Sequence, residues 1–76
     1  MSTKVDLLTV VAVTADVPAK RLLRGQVGTV VARLSELVCE VEFSDEDGCT
    51  YAHAAISDHE LMPLHYSPVY LGSAER

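Results

Sequence analysis

The sequence is poor in aromatic residues, with no tryptophan, one phenylalanine and three tyrosines. A cage that reads methylated side chains needs several rings at one mouth of a barrel. Of the four rings, Tyr66 and Tyr70 follow the last predicted strand, and Phe43 is assigned to the core. A reader of methylated residues is therefore disfavoured. Tyr51 and Tyr70 are interpreted as contact residues at a protein interface, where a ring with a polar tip is favoured.

Cysteine is scarcer still, since Cys39 and Cys49 are the only two. Both fall in a predicted hairpin, in which Cys39 lies opposite His53 or Ala54. The two cysteines are then offset by roughly 13 to 17 Å along the ladder, too far for a disulfide. We expect Cys39 to be a small core residue and Cys49 to be reachable from solvent beside the hairpin loop.

The chain has no long apolar run, because the longest, Val10 to Val13, is far below the roughly 18 residues that span a bilayer. Its first six residues contain no apolar signal core. These features predict a cytoplasmic protein without membrane contact. A length of 76 residues, of which 49% are hydrophobic, indicates one domain with a core.

Basic residues are nearly missing from the second half of the chain. Residues 34–76 carry nine acids and one base, whereas residues 1–33 carry two acids and five bases, which together give a net charge of −5. An acidic total repels a phosphate backbone at long range. A protein partner is therefore favoured over nucleic acid.

Short β-branched segments separated by turn residues predict five strands. The predicted elements are strands at Leu7 to Val13, Gln26 to Arg33, Leu37 to Phe43, Cys49 to Ala55 and Leu61 to Leu64, a long loop at Ala15 to Gly25, and a single helical or 3₁₀ turn at Ile56 to Glu60. This order is typical of a small all-β SH3-like barrel. We assign residues 1–6 to a flexible N-terminus, 7–64 to the barrel and 65–76 to a tail that docks on the barrel or forms a homo-oligomer interface.

The third strand alternates most clearly. Leu37, Cys39, Val41 and Phe43 are predicted to face the core, and Glu40 and Glu42 to face solvent. Three glycines receive structural roles: Gly25 and Gly48 supply a positive φ, and Gly28 marks a bulge or a close approach of two strands. Pro63 predicts an edge position for the last strand.

Two segments carry a resemblance to a known family. Arg24-Gly25-Gln26-Val27-Gly28-Thr29-Val30-Val31 is followed by Glu40-Val41-Glu42-Phe43, Asp47-Gly48 and Leu61-Met62-Pro63-Leu64. The chain resembles the bacterial family known as domain of unknown function 4926 over roughly residues 7–64. The resemblance implies the fold, and members that stand alone or neighbour toxin-like proteins imply a binding role.

The glycine segment Arg24 to Val30 is also similar to the KOW motif of ribosomal proteins and elongation factors. A nucleic-acid surface would then use Lys20, Arg21, Arg24 and Arg33. That loop has no interleaved aromatic residue on which bases could stack. Nucleic-acid binding is kept as an alternative.

Acidic residues cluster on the predicted hairpin, at Glu36, Glu40, Glu42, Asp45, Glu46 and Asp47. Such a run is either a solvated surface that resists aggregation or a docking surface for a basic partner. The basic loop at Lys20, Arg21 and Arg24 could complement it in self-association.

The remaining polar groups show no pattern of a catalytic or metal site. His53, His59 and His65, with Cys49, Asp58 and Glu60, lack the spacing of a metal centre. No nucleophile shows a motif pairing it with a histidine and a carboxylate. We therefore expect a non-catalytic binding module without metal or cofactor, or alternatively a structural subunit of a larger complex.

Overall fold

A computed structural model describes residues 5–65 of the chain. The strands are β1 (Val10–Val13), β2 (Val27–Arg33), β3 (Val38–Ser44), β4 (Thr50–Ser57) and β5 (Leu61–Pro63), with 3₁₀ turns at Pro18–Lys20 and Asp58–Glu60. The predicted all-β class is confirmed. No helix in the described part of the chain is long and apolar enough to cross a membrane.

The five strands form one antiparallel sheet in the order β4-β3-β2-β1-β5. Because β1 pairs with both β2 and β5, the last strand returns beside the first, as in a small SH3-like barrel. β5 is an edge strand that ends in Pro63, which confirms the position predicted from that proline.

Most strand boundaries differ from those predicted by one residue, and two differ by more. β1 begins at Val10, because residues 7 and 8 form a turn in which the Thr9 amide donates to the Asp6 carbonyl and Leu8 has a φ of 68°. β4 runs on to Ser57, two residues past the predicted end. The turn that follows covers only Asp58–Glu60, and the Ser57 hydroxyl caps it by accepting from the His59 amide.

The core lies against the inner face of β3. Cys39, Val41 and Phe43 are fully buried, as the alternation predicted. Leu37 was wrongly assigned to that face: it precedes the strand, lies in the β2–β3 turn and is 55% exposed. The other core residues are Val5, Val11, Val13, Leu22, Val30, Ala54, Ile56 and Leu61.

The ends of the domain are only partly described. Val5, which the sequence placed in the flexible N-terminus, is buried in the core. The division of the chain at residue 7 stays a prediction. The predicted docking of the tail concerns residues 65–76, of which all but His65 lie outside the described residues, Tyr66 and Tyr70 included.

Gly28 is required by a close approach of β2 to β3. A Cβ built on it would lie 2.7 Å from Val41 Cγ1, 2.8 Å from the Glu42 carbonyl oxygen and 2.9 Å from Phe43 Cδ2. The bulge considered for this position instead falls between Val30 and Ala32. A side chain at residue 28 would therefore push the two central strands apart.

Gly28→Ala should lower the free energy of unfolding by about 2–3 kcal/mol, because the new methyl group meets backbone as well as side-chain atoms. Gly48→Ala is the matched control. Gly48 has a φ of 84° with open space around it, so its substitution should cost only about 1 kcal/mol from backbone strain. Urea unfolding of both variants measures the difference, and equal losses would contradict the close approach.

Candidate functional site

Glu40 and Glu42 project from the solvent side of β3, where each is half-buried. His53 of β4 lies between them: its Nδ1 is 3.2 Å from Glu40 Oε2 and its Nε2 is 4.0 Å from Glu42 Oε2. The Thr50 hydroxyl also donates to Glu42. Both carboxylates are thus held on a rigid sheet.

The hairpin loop extends this charge beyond the strands. Asp45, Glu46 and Asp47 are all exposed. One Asp45 oxygen accepts from the amides of Asp47 and Cys49, both at 2.9 Å, so this carboxylate also shapes the loop. We name Glu40, Glu42, Asp45, Glu46 and Asp47 the acidic face.

Tyr51 is the second residue of β4, just after the hairpin loop. It is the extra residue of a bulge, because Phe43 pairs with Ala52 and Ser44 with Thr50. Its hydroxyl accepts from Gln26 Nε2 at 2.9 Å, and its ring centroid lies 6.3 Å from that of Phe43. Tyr51 remains 49% exposed, so a fixed aromatic surface is offered to solvent.

The predicted basic loop is a separate exposed surface. Lys20, Arg21 and Arg24 are all exposed. The first 3₁₀ turn lies beside β4, and Leu22 is buried as the loop's anchor in the core. The Arg24 amide donates to Asp16 Oδ1 at 2.8 Å, which fixes the end of the loop.

Arg33 does not join these bases. Its Nη2 lies 3.0 Å from Asp58 Oδ2 and donates to the Val5 carbonyl at 2.6 Å, while Nη1 donates to the Ser35 and Glu36 carbonyls at 3.1 and 3.2 Å. The side chain is 26% exposed. Its guanidinium is held by Asp58 and by backbone carbonyls, so Arg33 is separated in its contacts from the exposed basic loop; its part in a nucleic-acid surface stays a prediction.

The bulge in β2 explains the position of Arg33. Beyond Val31 the register becomes Ala32 opposite Glu40 and Arg33 opposite Cys39. If the side chains alternated regularly after Val30, which is buried, the Arg33 side chain would lie on the solvent-facing side of the sheet. The extra residue turns it to the side of Cys39 and Asp58, and nothing in the Val30-Val31 pair signals this change.

Asp58 is the centre of a buried polar cluster. Its side chain is only 2% exposed, and Oδ1 accepts from Cys39 Sγ at 3.2 Å. Burial would raise the pKa of the Asp58 carboxyl, but hydrogen bonds from Arg33 and Cys39 and the charge of Arg33 hold that pKa below its ordinary value. Burial, followed by the hydrogen bond to Asp58, raises the pKa of the Cys39 thiol.

Cys39 pairs with Ile56, so the predicted pairing with His53 or Ala54 is wrong. The register differs because Ser44 pairs with Thr50 and because the bulge at Tyr51 adds one residue to β4. Both thiols are free; Cys39 is buried and Cys49 exposed, as predicted. His53, His59 and His65 lie on β4, in the second 3₁₀ turn and after β5. Among residues 5–65, no three His, Cys, Asp or Glu side chains are gathered so as to hold a metal ion.

Strand order, the glycine contact between β2 and β3, and the acidic β3–β4 hairpin define a small SH3-like barrel domain. The sequence model of the family described as Domain of unknown function (DUF4926) matches residues 7–63. The chain belongs to this family, and the resemblance seen in its glycine segment and hairpin is confirmed. No curated protein and no solved structure matches the chain.

Asp58→Asn should lower the free energy of unfolding by roughly 2–4 kcal/mol, because it leaves the partly buried Arg33 guanidinium without its counter-charge. Glu60→Gln, two residues away and exposed, is the control and should change stability by less than about 0.5 kcal/mol. Chemical unfolding measures both. A loss for Asp58→Asn no larger than that of the control would contradict the network.

The stability contributed by Asp58 should depend on pH. Its pKa in the folded chain is below the ordinary value of 3.8, so on acidification the unfolded chain takes up the proton first. The contribution is then complete above that value and is lost as the pH falls through the lower, folded pKa.

The measurement is the difference in unfolding free energy between the parent chain and Asp58→Asn, followed from pH 6 to pH 2. The difference should stay constant above about pH 5 and shrink below about pH 4. A difference that grew on acidification would show instead that the pKa of Asp58 is raised by folding.

Proposed function

We propose that the chain is a non-catalytic protein-interaction module of the bacterial cytoplasm, which binds a basic protein partner through the acidic face and Tyr51. The observation that supports this most directly is the shared surface: two carboxylates fixed on β3 continue into the exposed acids of the hairpin loop. The sequence has no lysine or arginine between residues 34 and 75 that could neutralise them.

Charge concentrated on one surface accelerates encounter with an opposite charge and rejects acidic competitors. Tyr51 adds an anchor whose conformation is already set by its hydrogen bond to Gln26 and its contact with Phe43. A pre-ordered aromatic side chain loses little entropy on binding. The combination fits a partner surface that is basic and carries an apolar contact point. The contact with a partner that the sequence predicts for Tyr70 also stays a proposal.

The basic loop supports a second candidate. Lys20, Arg21 and Arg24 are exposed on one loop, beside the strand that carries Tyr51. A KOW-like accessory protein would use them to bind nucleic acid, and a homo-oligomer subunit would set them against the acidic face of another copy. The net charge of −5 weighs against the first of these.

The test mixes the purified chain with each product of the genes adjacent to its own, and measures affinity at about 20 and 200 mM salt. The partner complex should weaken by at least about tenfold at the higher salt. A variant that carries Glu40→Gln, Glu42→Gln and Asp47→Asn should weaken it similarly at low salt.

The matched control neutralises the basic loop with Lys20→Gln, Arg21→Gln and Arg24→Gln, and should leave this complex unchanged. A complex insensitive to salt and to the acidic substitutions would remove the electrostatic basis of the proposal. Binding of RNA or DNA at low salt, abolished by the basic-loop variant, would establish the second candidate instead.

A further inference from the structure

β4 is an edge of the sheet that carries little of the protection usual for edges. It pairs with β3 on one side, and no other strand of residues 5–65 pairs with it. Natural edge strands are kept short or carry charges or proline. β5, the opposite edge, has three residues and a proline, whereas Thr50–Ser57 has eight residues and contains no lysine, arginine, aspartate, glutamate or proline.

The first part of β4 is irregular. The bulge at Tyr51 interrupts its register, and the first 3₁₀ turn lies beside the strand. A bulge twists an edge away from a would-be neighbour. The regular edge is therefore residues 52–57.

The backbone of this edge points polar groups outward at alternate residues. The Asp58 amide donates to the Leu37 carbonyl, and the register places Ile56 and Ala54 in the next two pairs bonded to β3. The amides and carbonyls of Ser57, Ala55 and His53 consequently face away from the sheet. Such a row is a template for an added strand.

The side chains beside this edge favour a basic segment. Ala55 lies directly opposite Glu40, whose side chain is 35% exposed. A strand added to β4 would lie about 10 Å from β3, two strand spacings away. The small Ala55 stands directly opposite Glu40 and leaves that side open for a long side chain, whereas the imidazole of His53 stands opposite Glu42. Because His53 Nδ1 also lies 3.2 Å from Glu40 Oε2, an incoming base would share the Glu40 carboxylate with His53.

We infer that β4 binds an extended segment of the partner as a sixth strand, with a lysine or arginine of that segment crossing Ala55 to pair with Glu40. This inference rests on the proposed binding of a basic protein and adds its mode: backbone pairing supplies the register, and the Glu40 contact selects basic residues at alternate positions. A continuous run of bases would place half of them on the face away from Glu40.

The probes are two eight-residue peptides of equal charge, one alternating lysine and threonine and the other with its four lysines contiguous. They are added to the full chain, labelled with ¹⁵N, at about 20 mM salt. The alternating peptide should bind at least about fivefold more tightly. It should slow amide exchange at His53, Ala55 and Ser57 at least about tenfold, and leave Ala54 and Ile56 unchanged.

Ala55→Pro removes the outward amide without breaking a β3–β4 hydrogen bond, and should abolish both the preference and the protection. Should that variant not fold, Ala55→Lys tests the same point, because it blocks the path and repels the incoming lysine. Met62→Lys, which adds the same charge at an exposed position of β5, is the matched control and should retain the preference.

Equal binding of both peptides with unprotected edge amides would overturn strand addition and leave the acidic face as a binding surface. Binding of neither peptide, while a neighbouring-gene partner still forms a salt-sensitive complex, would overturn the inference alone. Without any such complex, the proposed function fails as well. The inference would also be overturned if the edge amides were already protected in the chain without peptide. Protection that rises with protein concentration would mean that a second copy covers the edge, and protection independent of concentration would mean that the chain's own remaining residues cover it.

Discussion

The Asp58 carboxylate, held by Arg33 and Cys39, is the interaction on which the rest of the barrel depends. A buried charge is costly unless its lone pairs are satisfied. The hydrogen bonds that Arg33 and Cys39 donate to the Asp58 carboxylate fix the end of β2, the start of β3 and the 3₁₀ turn at Asp58–Glu60. Through Arg33 it also holds the Val5 carbonyl. Because β5 begins immediately after that turn, the same contact sets where the last strand meets β1.

The positions of the acidic side chains on the solvent-facing side of β3 follow from the packing of its buried side. A strand that buries Cys39, Val41 and Phe43 must present the residues between them to the other side, so Glu40 and Glu42 are positioned by core packing rather than by a loop. The approach of β2 to β3 at Gly28 reinforces the arrangement. The surface proposed for binding is thus as rigid as the sheet that carries it.

Sequence reasoning succeeded where a pattern was local. The alternation of β3, the positive φ of Gly48 and the edge position of Pro63 each depend on neighbouring residues, and each was confirmed. The prediction that Leu37 faces the core was wrong because an alternating pattern does not show at which residue the strand begins.

The other features that the sequence did not predict depend on which face of a strand a residue occupies, or on contacts between residues far apart in the sequence. Val31 inserts one residue into an apolar run that looks the same with or without a bulge, so the inward turn of Arg33 was invisible. Its partner Asp58 is 25 residues away. The chemistry of Tyr51 predicts a contact residue, but its hydrogen bond to Gln26 joins residues 25 apart in the sequence, and no local pattern predicts it.

The two edges of the sheet are unequal, and this has a consequence for assembly. Within residues 5–65, two copies joined along β4 would leave only their β5 edges facing outward, each three residues long and ended by Pro63. Proline has no amide hydrogen to extend a ladder. Edge-to-edge growth would stop at a pair, so the barrel can keep one strand open to neighbours without the hazard of building a fibre.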